Sequence, residues 1–150
     1  MPTSFDPVAL FRRSCGIWPD REALSVAGTS LTYSELDRWS DAIAAALIAG
    51  GASKERVALV THKRAASYAA ILGILKAGCA YVPLHPDGPA ARWERMITTC
   101  GARFIVGDAP AIAGLQQVAD PGPGSSSTAS LVDRAGDEAD DRTLQQQRPS

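Results

Sequence analysis

The sequence predicts an α/β fold in which a parallel sheet, laid down in β-α-β-α-β order, is covered by helices. Three observations predict it. Val57-Ala58-Leu59-Val60 is an unbroken apolar run, the pattern of a strand buried on both faces. Helical spacing follows over 65–77 through Tyr68, Ile71, Leu72 and Leu75. A strand at 80–84, a helix at 89–100 and a strand at 104–106 complete the alternation, which implies right-handed crossovers.

Before that unit, Asp6-Pro7 opens a helix, because Asp accepts free amide protons and proline tolerates the first helical position. Gly16 is expected to stop it, with 17–20 as a loop. Residues 22–26 and 30–32 flank Ala27-Gly28-Thr29, which reads as a hairpin. Thr32 and Glu35 stand at capping-box spacing and start a long helix near Tyr33. Its apolar stripe is Leu36, Trp39, Ile43, Ala46 and Leu47, with Asp37, Arg38 and Asp41 elsewhere and Gly50-Gly51 at its end.

Lys76 suits the negative end of the next helix and Gly78 its stop. Pro83 must sit at a strand end or on a sheet edge, because it has no amide proton to donate. In the helix at 89–100, Trp93, Met96 and Ile97 point inward. Beyond about Asp120 the chain turns to Pro-Gly, Ser and Gln runs with acidic residues, too little apolar surface to offset the entropy of ordering. The expected division is therefore a folded unit over 1–119 and a disordered tail over 120–150, in which Leu131-Val132 alone suggests a short strand.

Composition narrows the function classes. Formal net charge is -1 with the basic residues scattered, which removes the footprint of a nucleic-acid binder. Cys15, Cys79 and Cys100 are far apart and form no CxxC pair, so neither a disulfide framework nor a zinc site is indicated. No secretory leader is legible in the first 20 residues, and Lys76, Gly78 and Pro83 interrupt the one stretch, 65–84, long enough to suggest a membrane span. A cytoplasmic protein without a membrane partner is expected.

The chemistry-bearing residues are few. Neither GxGxxG nor GxxxxGK[ST] occurs, and the turn after the first parallel strand, Thr61-His62-Lys63-Arg64, has no glycine with which to cradle phosphate. His62 and His85 both fall at carboxyl ends of strands, where open α/β sheets place ligands, but strand-end histidines more often cap a loop. Neither has a partner at metal-binding spacing. Asp137, Glu138, Asp140 and Asp141 read as a solvated run, Cys79 as a buried structural thiol, Lys63 and Arg64 as surface charge, and Trp39 and Trp93 as core.

Two stretches carry more than composition. Leu31-Thr32-Tyr33-Ser34-Glu35-Leu36 resembles the first core motif of the adenylation domains of nonribosomal peptide synthetases, L-T/S-Y-x-E-L. The stretch from Leu75 through Lys76, Ala77, Gly78, Cys79, Ala80, Tyr81, Val82 and Pro83 to Leu84 resembles their second, L-K-A-G-x-A-Y-V-P-I/L. The resemblance covers about residues 5–108 and points to the superfamily of acyl-CoA synthetases, luciferases and adenylation domains.

That resemblance implies an N-terminal subdomain of the adenylate-forming fold. It also implies a reaction in which a carboxylate attacks the ATP α-phosphate, giving an acyl-adenylate and pyrophosphate before transfer to a thiol, with magnesium accompanying ATP. Both motifs are mainly structural in such enzymes, with Tyr81-Val82-Pro83 expected in a core strand. The phosphate loop, nucleotide contacts, acid pocket and lid lysine of the family have no matching position in this sequence. No catalytic, cofactor-binding or metal-binding residue is therefore assigned, and no cofactor is expected to bind this chain alone.

His85 stands where amino-acid-activating members more often have Asp and many acyl-CoA synthetases Asn, so the resemblance does not specify the acid. The expected product is an N-terminal, catalytically incomplete part of an adenylating ligase, ending before the phosphate loop. Its expected partners are the remainder of the adenylation domain or a carrier protein. A non-catalytic interaction module is the alternative, and a compact nucleotide-binding protein is disfavoured by the missing glycine-rich turn. Uncovered strand edges also predict marginal solubility.

Overall fold

The computed structural model describes residues 5–62 and 64–107. Leu131-Val132, the acidic run at 137–141 and the whole of 120–150 lie outside the described residues.

Helix α1 spans Pro7–Ile17, and Asp6 Oδ1 accepts the amide protons of Val8 and Ala9 at 3.0 and 3.2 Å. Gly16 does not stop this helix. The helix runs on until Trp18, whose φ of -129° and ψ of 58° are non-helical, because the ring of Pro19 disfavours a helical residue before it. Strands β1 (Glu22–Val26) and β2 (Thr29–Thr32) form the hairpin, with Val26 opposite Thr29. The loop is thus two residues, Ala27-Gly28, rather than the expected three. Their φ values of 51° and 81° are those of a type I′ turn, whose twist matches the flanking strands.

Thr32 caps α2 (Tyr33–Ala49) by accepting the Glu35 amide proton at 3.2 Å. Leu36, Ile43 and Leu47 of its apolar stripe are buried, each burial contributing roughly 1.5–3 kcal/mol. Trp39 packs beside them, half-buried, with its Nε1 buried and unpartnered among the described residues. The helix ends through Gly51, at φ 92°, with Ala52 N–H returning to Leu47 O at 3.0 Å. Helix α3 (Ala65–Lys76) ends the same way, with Gly78 at φ 78° and Cys79 N–H on Ile74 O at 3.1 Å.

The second sheet holds β3 (Arg56–Val60), β4 (Ala80–Leu84) and β5 (Phe104–Gly107), all parallel in the order β4-β3-β5. Central β3 alternates its side chains between two cores. Val57 and Leu59 join Phe104, Val106 and the buried faces of α2 and α3; Ala58 and Val60 join Leu84 and Trp93 of α4 (Ala90–Cys100). Helices therefore cover both faces, as the unbroken apolar run requires.

Tyr81-Val82-Pro83 is not a core strand, because β4 is an edge of the described sheet. Tyr81 and Pro83 are exposed and Val82 half-buried. The α2–α3 seam is tighter than the sequence suggests, since a Cβ on Gly73 would lie 2.6 Å from both Cβ and Cγ2 of Ile43.

Candidate functional site

The carboxyl ends of β3 and β4 bring the two histidines into one neighbourhood. Thr61 and His62 leave β3, and α3 starts four residues on without an acidic cap. In its place Ser67, buried in the first turn, accepts the Arg64 amide proton at 3.2 Å and donates to the His62 carbonyl. Its Oγ also lies 3.0 Å from Thr61 Oγ1. The β3–α3 turn is therefore built by side-chain hydroxyls, where a glycine-rich loop would be built by open backbone.

His85 ends β4. Its Nδ1 accepts the Asp87 amide proton at 3.2 Å, which places the proton of the neutral ring on Nε2. Its carbonyl accepts from Trp93 Nε1 at 2.7 Å and from Gly88 N–H at 3.0 Å. Trp93 is thus core, as expected, with its one polar atom satisfied. Asp87 then reaches back, its Oδ1 lying 3.3 Å from His62 Nε2. The two strand-end loops are tied through Asp87, a residue that spacing alone did not single out. The pair is open to solvent, with side chains 60% and 71% exposed, which makes it a loop tie of small energy.

Chemically the cluster is spare. Among the described residues no three His, Cys, Asp or Glu side chains are arranged to hold a metal ion. The residues present do not fit a triphosphate either. Ser67 is committed to its own loop, and the turn has no glycine to let a phosphate approach the backbone. Cys79 is buried against the Ala77 carbonyl, a structural position. Burial, then the charge of Asp37, pushes the Cys15 thiol above its ordinary 9.0, so it is not an activated nucleophile.

The lysine of the second motif meets the helix that the first motif opens. Lys76 does not merely complement the end of its helix. Its Nζ lies 2.5 Å from Asp37 Oδ1 and 2.7 Å from Asp41 Oδ1, donates to the Asp37 carbonyl at 3.2 Å, and sits 5.4 Å from the Phe11 ring centroid. With its side chain 1% exposed, it fastens α3 to both α2 and α1. Asp37 and Asp41, whose spacing marks only the polar face of their helix, are its partners.

A parallel sheet with its first strand between the second and third, covered by helices on both faces, defines a doubly wound α/β domain. The family model of the AMP-binding enzyme matches residues 11–150. Surfactin synthase subunit 2 of Bacillus subtilis (strain 168) is 39% identical over 99 residues, covering 65% of this chain and 3% of that protein. The nonribosomal peptide synthetase ftmPS of Neosartorya fischeri is 41% identical over 96 residues, 63% of this chain and 4% of that protein. Among solved structures, IdnL7 superposes with a TM-score of 0.67 at 34% identity, over 81% of this chain and 27% of the other. This chain belongs to the AMP-binding enzyme family. The matched stretch spans only 3% and 4% of the length of these two curated relatives.

Proposed function

We propose that this chain supplies the N-terminal scaffold of an ATP-dependent, AMP-forming ligase that adenylates an amino acid for nonribosomal peptide synthesis, and that these 150 residues do not catalyse by themselves. The observation that carries the reading is the Lys76 tie. Lys76 belongs to the second motif and Asp37 to the helix that the first motif opens, while Thr32 of the first motif caps that same helix, so these polar groups serve to join and cap helices. The loop at the end of β3 is likewise closed on itself through Ser67. Family membership and the names of the peptide-synthetase relatives support the substrate class.

On this reading ATP and magnesium bind residues supplied outside 5–107, the remainder of the adenylation domain is the immediate partner, and a carrier protein takes the acyl group. The working place is the cytoplasm; no helix among the described residues is long and apolar enough to cross a membrane. Amino-acid-dependent ATP–pyrophosphate exchange tests the assignment. The chain alone should show none, and the chain joined to the remainder of an adenylation domain should show it for one amino acid.

A non-catalytic interaction module is the second reading, favoured by one observation. Phe5, Leu10, Ile17 and Trp18, all large and apolar, are exposed along α1 and its flanks, a surface suited to another chain. Stable binding of a protein partner by a chain that never restores exchange would select it.

A further inference from the structure

Helix α1 is held to the domain differently from the other helices. Among the described residues it is the one helix that buries no side chain, whereas α2 and α3 each bury several and α4 buries Trp93. Val8, Phe11, Ser14 and Cys15 stand at helical spacing on its inward side, all half-buried, while Leu10 and Ile17 on its outer side are exposed. The Phe11 ring lies 6.1 Å from the Tyr33 ring, centroid to centroid, and Cys15 Sγ donates to the Tyr33 carbonyl at 3.6 Å. A thiol is a weak donor, so Phe11 is the main hold.

The chain behind α1 is fixed more firmly. Helix α2 begins with amide protons that no helical carbonyl can accept. Tyr33 N–H donates to the Arg21 carbonyl and Ser34 N–H to the Pro19 carbonyl, both at 3.0 Å. Residues 19–21 are thereby tied to α2, and Trp18, already non-helical before Pro19, stands between that fixed point and α1.

What α1 covers is the ammonium of Lys76. Asp37 and Asp41 approach Nζ from α2, and Phe11 lays its ring against it, the centroid 5.4 Å away. Water reaches both carboxylates, which are 32% and 55% exposed, yet the lysine side chain is 1% exposed.

We propose that α1 is a strap that opens as a unit about Trp18 on an otherwise folded domain, and that its opening uncovers Lys76. An element with few buried contacts opens at a free energy below that of the whole fold. Lys76 keeps its carboxylate partners when the strap is off. The open state therefore adds the amine and the Tyr33 ring to the surface and leaves the α2–α3 seam intact.

Two readouts on the full 150-residue chain test this. In native-state amide exchange, Phe11, Arg12, Arg13 and Ser14 should be protected relative to an unfolded chain, yet exchange at least about 100-fold faster than Ile43, Ala44 and Leu47 of α2. Acylation with N-hydroxysuccinimidyl acetate, read by peptide mass, should modify exposed Lys54 fast and Lys76 slowly. Phe11→Ala should speed both α1 exchange and Lys76 acylation by about tenfold, while leaving Lys54 and the α2 amides within about threefold. One common opening rate for α1 and α2 would overturn the proposal, as would unprotected α1 amides in the unaltered chain. So would Lys76 acylation that Phe11→Ala does not change. A Phe11→Ala chain that loses α2 protection together with α1 would also overturn it, because α1 would then belong to a single cooperative unit.

Discussion

Lys76 Nζ and Asp37 Oδ1 lie 2.5 Å apart across the α2–α3 seam, with the lysine side chain 1% exposed. The lysine is buried while Asp37 is 32% exposed, so removing the lysine leaves carboxylates that water still reaches, at a cost between that of an exposed bridge and that of a fully buried pair. Lys76→Met should lower unfolding free energy by about 2–3 kcal/mol, measured by urea denaturation. Combined with Asp37→Asn it should cost less than the sum of the two single changes. Strict additivity would show that the two residues act separately.

Gly73 faces the same seam. Alanine normally favours a helix by about 1 kcal/mol over glycine. At this position its Cβ would stand 2.6 Å from Ile43 Cβ, an atom fixed to the backbone, and 3.0 Å from the Ser40 carbonyl. Gly73→Ala should therefore destabilise by about 1–3 kcal/mol, the usual cost of overpacking. A stabilised variant in thermal unfolding would mean that α2 and α3 do not meet this closely.

Glu55 pairs twice with Arg103, at 3.1 and 2.7 Å, and this hydrogen bonding holds its carboxyl below the ordinary 4.5. A depressed carboxyl stabilises the fold above its unfolded pKa, and that contribution is lost as pH falls through the folded value. The stability difference between the native chain and Arg103→Gln should thus be constant above about pH 5.5 and shrink on acidification below pH 4.5. Arg103 is exposed, so the difference is small and screened by salt. A difference that grew as pH fell would have the wrong sign for this pair.

Pro83 guards the edge of β4. Pro83→Val restores an outward amide and a strand-forming side chain, so it should leave the fold intact and promote self-association. Light scattering across a concentration series is expected to show larger species than the parent chain gives. An unchanged monomer fraction would mean that the edge is protected by something other than the missing amide.

Local signals were the legible ones. Thr32 with Glu35, Gly51 and Gly78 act within one turn, and the Val57-Ala58-Leu59-Val60 run needs no partner to be read as a doubly covered strand. Where two local signals competed, the order was less clear: Gly16 could end α1, but the constraint that Pro19 imposes on Trp18 was decisive. Ties between distant residues left no periodic mark. Lys76 and Asp37 are 39 residues apart, and His62 and Asp87 are 25 apart. Each alone looks like ordinary surface charge. The edge position of β4 was half legible, since Pro83 forbids a central amide but does not say which neighbour is missing.

The measurement that bears most directly on the proposed role is amino-acid-dependent ATP–pyrophosphate exchange, run on the purified 150-residue chain with all proteinogenic amino acids. Exchange at the level of the enzyme-free blank is expected from a segment in which Lys76 and Thr32 of the motifs join and cap helices and whose strand-end loop closes on Ser67. Exchange above the blank with any one amino acid, abolished by omitting ATP, would contradict it.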